Sequence, residues 1–230
     1  MCGRIFNKDS VNAFVASLGV DADDPNLGAI RETYNGAPGQ MYGIIIREVV
    51  ETTGRVVSAR WGILPQWAFS KGLKPQINAR AETIREKATF RAAYRSRRAL
   101  LPISGYYEWM VTTVVDGKPV KQPYAIAMKD GTPFTVAAIW ETYRDQSTDW
   151  RTFAVVTCEP NAKLREIHDR MPVIIGAADR DRWLNPEIED PADLLRAYPS
   201  DLVTCWPVTK KVGNVRNNTP DLLKPVDSKD

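Results

Sequence analysis

Between Ala99 and Thr157 the chain is a succession of short β-branched and aromatic runs, and no other stretch limits the fold as strongly. Ala99–Ile103, Tyr106–Val115, Gln122–Met128, Pro133–Thr142 and Arg151–Thr157 each have the length and composition of a strand. Asp116-Gly117 and Asp130-Gly131 fall between them and read as hairpin turns, because both dipeptides tolerate positive φ. Upstream, Tyr42–Val50 and Gly54–Ile63 read as two more strands, turned by Glu51-Thr52-Thr53-Gly54.

Helical patterns frame these strands. Residues 9–18 can be capped by Asp9 or Ser10, present Val11, Phe14, Val15 and Leu18 on one face, and stop at Gly19. Residues 79–98 read as mostly helical, with Phe90, Ala93 and Tyr94 as the apolar stripe and arginines opposite. Pro160–His168, Asp179–Leu184 and Pro191–Tyr198 read as short helices, and the tail from Pro207 reads as a polar loop. No repeat, low-complexity tract or long linker divides the chain. The pattern predicts one α+β domain over residues 2–230: a curved, mostly antiparallel, barrel-like sheet with flanking helices.

The chain has 230 residues, 43% of them hydrophobic, enough to bury a core without staples and too many for a disordered chain. No run of ~18 apolar residues suggests a membrane span, and no apolar segment follows Met1-Cys2-Gly3-Arg4 as a signal peptide requires. A cytoplasmic protein with no membrane partner is the expectation, and sixteen prolines among short strands favour a monomer. Three widely spaced cysteines, Cys2, Cys158 and Cys205, with no CxxC pair and a single histidine, His168, argue against a disulfide framework and against a metal centre. No cofactor is expected. Net charge is only +3. Between Arg80 and Arg98, however, seven basic residues (Arg80, Arg85, Lys87, Arg91, Arg95, Arg97, Arg98) face only Glu82 and Glu86, a local excess of +5. Such a run is either a solvated helix face or a surface for a polyanion.

Cys2 carries the most distinctive chemistry. Removal of the initiator Met leaves a free α-amine and a thiol on one residue. The amine titrates near ~7.7–8.0 and is a nucleophile close to neutral pH, and the thiol is a second one. A 1,2-aminothiol condenses with an aldehyde to a Schiff base and closes to a five-membered thiazolidine. Read alone, Cys2 fits a small buried core residue equally well.

His168, in His168-Asp169-Arg170-Met171-Pro172, can meet a distant cysteine in the fold, or simply complement a helix C-terminus. Glu108 lies in Gly105-Tyr106-Tyr107-Glu108-Trp109, where alternation sets Tyr106 and Glu108 on one face and Tyr107 and Trp109 on the other. An inward Glu108 would have a raised pKa suited to proton transfer, and an outward one would belong to an amphipathic strand. Asn78-Ala79-Arg80-Ala81-Glu82 couples an amide, a guanidinium and a carboxylate, or else caps a helix at Asn78. Trp61 reads as core, and Trp67, in the loop after Pro65, as an exposed platform for a base.

Six runs taken together resemble the SRAP family (SOS response-associated peptidase). They are Met1-Cys2-Gly3-Arg4; Tyr34-Asn35 with Ala37-Pro38; Trp61-Gly62 with Pro65 and Trp67; Asn78-Ala79-Arg80-Ala81-Glu82-Thr83; Gly105-Tyr106-Tyr107-Glu108-Trp109; and His168-Asp169-Arg170-Met171-Pro172. They stand in the family's order and span nearly the whole chain. The resemblance implies suicide-type covalent capture of abasic sites in single-stranded DNA in the DNA damage response. On that reading Cys2 links to the ring-opened sugar, Glu108 shuttles protons, His168 assists near the sugar and the 3′ phosphate, and Asn78 orients the amine or the sugar. Arg4, Arg80 and Arg170 would bind phosphates, Trp67 would stack on a base, Thr157 would line the pocket, and Asn35 and Pro38 would belong to the DNA-binding loop. Because Ala68 follows Trp67, a stacking surface needing a second aromatic there is smaller. Three rival readings use the same residues: a thiol peptidase or autopeptidase built on Cys2 and His168, a noncovalent single-stranded DNA-binding module, and a cysteine hydrolase of small amides.

Overall fold

A computed structural model describes residues 2–18, 21–47 and 54–227. Its centre is a closed barrel of five strands. β3 (Met41–Ile46) pairs antiparallel with β4 (Arg55–Trp61) and with β6 (Arg98–Ile103), and β6 pairs with β9 (Phe134–Asp145). β9 pairs with β10 (Thr148–Cys158), and β10 closes the barrel by running parallel to β4 at Thr152↔Arg60 and Phe153↔Trp61. The interior is aliphatic: Ile44, Ile46, Val136, Ala138 and Val155 are all fully buried and share one face of the sheet. Short strands extend the barrel. β5 (Asn78–Arg80) runs parallel to β10, β11 (Met171–Pro172) pairs with β10, and β12 (Ile174–Ile175) pairs with β9.

A second, five-stranded antiparallel sheet lies against the barrel. Its order is β13 (Val203–Pro207), β8 (Lys118–Met128), β7 (Gly105–Val115), β1 (Ile5–Asn7) and β2 (Thr33–Gly36). β7 is buried on both faces at its start. Tyr106 packs into the main core with Cys2 and Ile5, while Tyr107 packs with Phe6 in a second core. The alternation expected for this run is therefore realised, with Glu108 inward and 3% exposed. Gly105 admits the close approach of β1: a Cβ there would lie 2.2 Å from the Phe6 ring and 2.4 Å from the Ile126 carbonyl oxygen. Beyond Met110 the β7–β8 ribbon leaves the body of the protein and exposes Val111, Val114 and Val115.

The α+β, barrel-like expectation holds, while several elements differ. Asp116 (φ 50°) and Gly117 (φ 72°) turn the β7–β8 hairpin as expected. Asp130-Gly131 turns the chain but makes no hairpin, because β8 and β9 lie in different sheets. The second hairpin is β9–β10, turned at Gln146 (φ 50°), where no glycine marks it. The expected turn at Glu51–Gly54 lies, apart from Gly54, outside the described residues, as does Gly19. Helix α1 (Val11–Leu18) forms, with the Ser10 hydroxyl accepting from the Ala13 N–H at 3.3 Å. α2 (Gln66–Ser70) replaces the expected loop around Trp67.

The long helix expected over 79–98 is absent. Asn78–Arg80 is recruited as a strand by β10, and only α3 (Arg91–Ser96) is helical, with Phe90, Ala93 and Tyr94 buried as expected. Pro160–His168 and Pro191–Tyr198 each shrink to one 3-10 turn, Leu164–Glu166 and Ala192–Leu194, and α4 (Arg180–Leu184) forms where expected. The tail is no loose loop: Val208, Val212 and Leu222 are buried against Phe6 and Tyr107. Among the described residues no helix is long and apolar enough to cross a membrane.

The basic run is also not an open cationic face. Arg98 is 2% exposed, and its guanidinium donates to the carbonyls of Tyr94, Arg95, Trp183, Asn185 and Ile188. Arg85, Arg95 and Arg97 pair with Asp190, Glu189 and Glu141. Carboxylates from distant segments thus neutralise much of the local excess.

Candidate active site

Four of the sequence-selected residues meet where β1, β5, β7 and the His168–Arg170 corner converge. Cys2, just before β1, is fully buried. Asn78 on β5 donates its Nδ2 to the Cys2 carbonyl at 2.8 Å. Burial pushes the Cys2 thiol well above its ordinary range, and the negative charge of Glu108 pushes it further. Glu108 itself is raised, chiefly by burial, with the nearby His168 among the groups that oppose the rise. Its Oε2 lies 3.8 Å from His168 Nε2. A protonated thiol, a carboxyl group displaced toward neutral pH and an imidazole therefore share one largely water-excluded space.

The orientation of His168 is set at Nδ1, which has two competing neighbours. The Arg170 backbone N–H lies 3.0 Å away and requires a lone pair on Nδ1, whereas an Asp169 carboxylate oxygen at 2.8 Å requires a proton there. The Arg170 N–H is fixed in the backbone, while the Asp169 side chain is 81% exposed and free to turn to water. The neutral ring thus keeps its proton on Nε2, toward Glu108.

The Arg170 side chain anchors this corner. Its guanidinium forks onto both oxygens of Glu82 at 2.8 and 2.9 Å and donates to the Thr157 carbonyl at 2.7 Å. That contact draws the Glu82 pKa below the ordinary carboxylate range. Thr157 is buried on β10, and its carbonyl also accepts from the Ala81 N–H at 2.8 Å. The sequence offers Glu82 as the carboxylate of the Asn78–Glu82 run or as part of a helix start; its pairing with Arg170 across 88 residues has no local signal. Tyr106 is a second residue whose placement, near Cys2, the sequence did not single out. Its buried hydroxyl belongs to the same core as Cys2 and makes no hydrogen bond among the described residues.

The other expected DNA-contacting residues sit differently. Arg4 donates to Asn35 Oδ1 at 2.8 Å and to the carbonyls of Val212 and Gly213 at 2.6 and 3.1 Å, and it lies over the Trp109 ring. Asn35 is 2% exposed, and its Nδ2 faces the carbonyls of Val212, Asn214 and Asn217, so it ties the tail to β2. Pro38 lies in the turn between β2 and β3, beside Arg60 and Trp61. Trp67 is 39% exposed on α2, with Lys71 Nζ 5.8 Å from its ring centre. Arg80 is exposed at the end of β5.

A closed small barrel flanked by a second sheet, with a buried cysteine at the second position beside an acid, an imidazole and an amide, defines a compact class of thiol-bearing α+β proteins. The chain belongs to the SRAP family, whose model, described as SOS response associated peptidase, matches residues 1–215. It is 34% identical over 230 residues to the abasic site processing protein YoqW of Bacillus subtilis, with 97% of this chain and 99% of that protein covered. It is 28% identical to the abasic site processing protein YedK of Escherichia coli, covering 98% of this chain and all of that one. Among solved structures, a protein from Bacteroides thetaiotaomicron superposes with a TM-score of 0.78 at 24% identity, covering 97% of this chain and 98% of that one. Both of these relatives carry the name of abasic site processing proteins.

Proposed function

We propose that the protein captures abasic sites in single-stranded DNA covalently through Cys2, as a monomer acting in the cytoplasm or on the nucleoid over a single domain spanning residues 2–230. The observation that carries this reading is the grouping about Cys2, the one residue able to offer an amine and a thiol together: Asn78 bonds to its carbonyl at 2.8 Å, and Glu108, whose charge acts on its thiol, lies 3.8 Å from His168.

With Met1 removed, the Cys2 amine attacks the C1′ aldehyde of the ring-opened sugar. Glu108 in its acid form protonates the departing hydroxyl, so that water leaves and a C=N bond forms. The Cys2 sulfur then adds to that carbon. Its proton passes to the Glu108 carboxylate, and the π pair of the imine returns to nitrogen, giving the thiazolidine. A thiol held protonated by burial and by Glu108 needs such a base, and a carboxyl group with a raised pKa serves as acid and base in turn. As the sugar ring opens, the C1′–O4′ bond breaks and the C1′ carbonyl forms; Glu108 relays the proton of the C1′ hydroxyl to the ring oxygen, to which His168 donates a hydrogen bond through Nε2. Asn78 holds the N-terminal residue through the Cys2 carbonyl. Arg4, Arg80 and Arg170 supply positive potential along the strand, Thr157 lines the pocket wall, Trp67 offers a ring for a base, and Asn35 and Pro38 shape the adjoining loop.

The reading is tested by placing a short, uncleavable tag ahead of Cys2. The expected result is loss of crosslinking to abasic DNA, with noncovalent affinity for single-stranded DNA retained. Undiminished crosslinking by the tagged protein would overturn the proposal.

A further inference from the structure

The arginines near the site divide into two groups. Arg4 and Arg170 are committed inside the protein, to Asn35 with two tail carbonyls and to Glu82 with the Thr157 carbonyl. Arg80 is exposed, and its side chain has no hydrogen bond or ion pair among the described residues. The same is true of Arg165 on the 3-10 turn Leu164–Glu166. These two guanidiniums line one cavity of about 440 Å3, together with Glu159, Pro160, Asp169 and Arg170. The cavity adjoins the catalytic corner, since Asp169 and Arg170 directly follow His168.

The acids in its wall do not neutralise the pair. Neither Asp169 nor Glu159 forms an ion pair with Arg80 or Arg165 among the described residues, and the Asp169 side chain is 81% exposed to water. Two like charges thus share one concave opening with no ion pair to either among the described residues, Glu82, the acid that feels the charge of Arg80, being forked by Arg170, and such an opening favours an anion. Both are anchored by rigid backbone. Arg80 closes β5, where it is paired with Thr157. The turn bearing Arg165 is pinned by Asn161, whose carbonyl accepts from the Arg165 N–H at 3.1 Å and whose Oδ1 accepts from the Leu164 N–H at 3.0 Å. Less ordering is then required on binding than for two free surface side chains.

We infer that Arg80 and Arg165 together form a subsite for one backbone phosphodiester of the DNA strand next to the lesion, with Arg165 as a ligand that the sequence motifs do not mark. Two planar forks suit the several oxygens of a phosphodiester. A phosphate seated there fixes which flank of the strand lies against His168. The inference rests on the reading that single-stranded DNA is the substrate.

The test uses full-length protein and an oligonucleotide carrying a tetrahydrofuran abasic analogue, which sets the register and lacks the aldehyde. Affinity is measured across a salt series for wild type, Arg165→Gln and Arg80→Gln. Each contributes to neutralising a phosphate, so the slope of log K against log salt is expected to fall in both variants, by up to about 0.7. A neutral methylphosphonate is then walked along the strand. One position is expected to abolish the difference between wild type and Arg165→Gln, and the same position that of Arg80→Gln. An unchanged slope for Arg165→Gln, or different positions for the two arginines, would overturn the subsite. Crosslinking of wild type to an aldehyde-bearing strand is scored in parallel. If wild type crosslinks while Arg165→Gln keeps the full slope, the subsite is wrong and covalent capture stands. If the slopes fall but wild type forms no adduct, the subsite stands and covalent capture does not.

Discussion

Glu108 and His168 come from strands and turns sixty residues apart in sequence, yet Glu108 Oε2 and His168 Nε2 lie 3.8 Å from each other beside the buried Cys2. At that separation the two groups influence each other's charge without a direct hydrogen bond between these two atoms.

The raised Glu108 carboxyl gives opposite signs for activity and stability. Replacement by Gln removes the proton carrier, and adduct formation is expected to slow by about 100-fold or more. In wild type the acid limb of the rate should lie above the ordinary glutamate value of ~4.3. A folded-state pKa above the unfolded one means that stabilisation by the neutral form is complete below ~4.3 and is lost as pH rises through the raised value. Glu108→Gln should therefore melt above wild type at pH ~7, with the difference vanishing near pH ~4. Thermal denaturation across that range checks the sign, and a variant less stable than wild type at neutral pH would contradict it.

The Glu82–Arg170 clamp predicts the reverse pH behaviour. Arg170 is largely buried, while Glu82 is about half exposed, so the pair is worth less than a fully buried one. Glu82→Ala is expected to cost roughly 1–3 kcal/mol. Because the contact with Arg170 lowers the Glu82 pKa, this contribution is present above the ordinary carboxylate value and disappears only as pH falls through the lowered one. Chemical denaturation at pH ~7 and in mild acid should show the gap between wild type and variant closing only in acid.

How much of this was legible in the sequence depends on the range of the interactions involved. That Glu108 shares a face with Tyr106 followed from period-2 alternation in β7, a purely local signal, although which face points inward did not, and the buried face of α3 followed from Phe90, Ala93 and Tyr94. Strand β5 was not legible, because a three-residue segment beginning with Asn78 looks like a helix cap until β10 captures it. Nor was the fate of Arg98, whose carbonyl partners include Trp183, Asn185 and Ile188 far along the chain. Asn35 was visible as part of a motif, but its carbonyl partners lie 177 to 182 residues downstream.

Asn35→Ala tests that structural role. It leaves the carbonyls of Val212, Asn214 and Asn217 without their common donor and the Arg4 guanidinium without one acceptor. The expected cost is about 1–3 kcal/mol, with faster amide exchange or proteolysis in the tail around Val212. Wild-type stability together with an unchanged tail would contradict the assignment.

Gly105→Ala tests the junction that aims Glu108. The added Cβ would meet both the Phe6 ring and the Ile126 carbonyl oxygen, and the backbone contact has no flexible end to move aside. A loss of about 3 kcal/mol or more, or failure to fold, is expected, as for other overpacked core positions. A Tm equal to wild type would show that β1 and β7 separate more easily than their register implies.

The central claim is that Cys2 forms the bond to DNA, and a denaturing gel tests it most directly. Protein with Met1 removal confirmed by mass is incubated with single-stranded DNA bearing one abasic site, alongside Cys2→Ala, Cys2→Ser and DNA with intact bases. A heat-stable shifted band is expected for wild type with abasic DNA, and none for Cys2→Ala or Cys2→Ser unless borohydride traps the Schiff base of their α-amine. A stable band from either variant without reductant, or no band from the wild type, would contradict it.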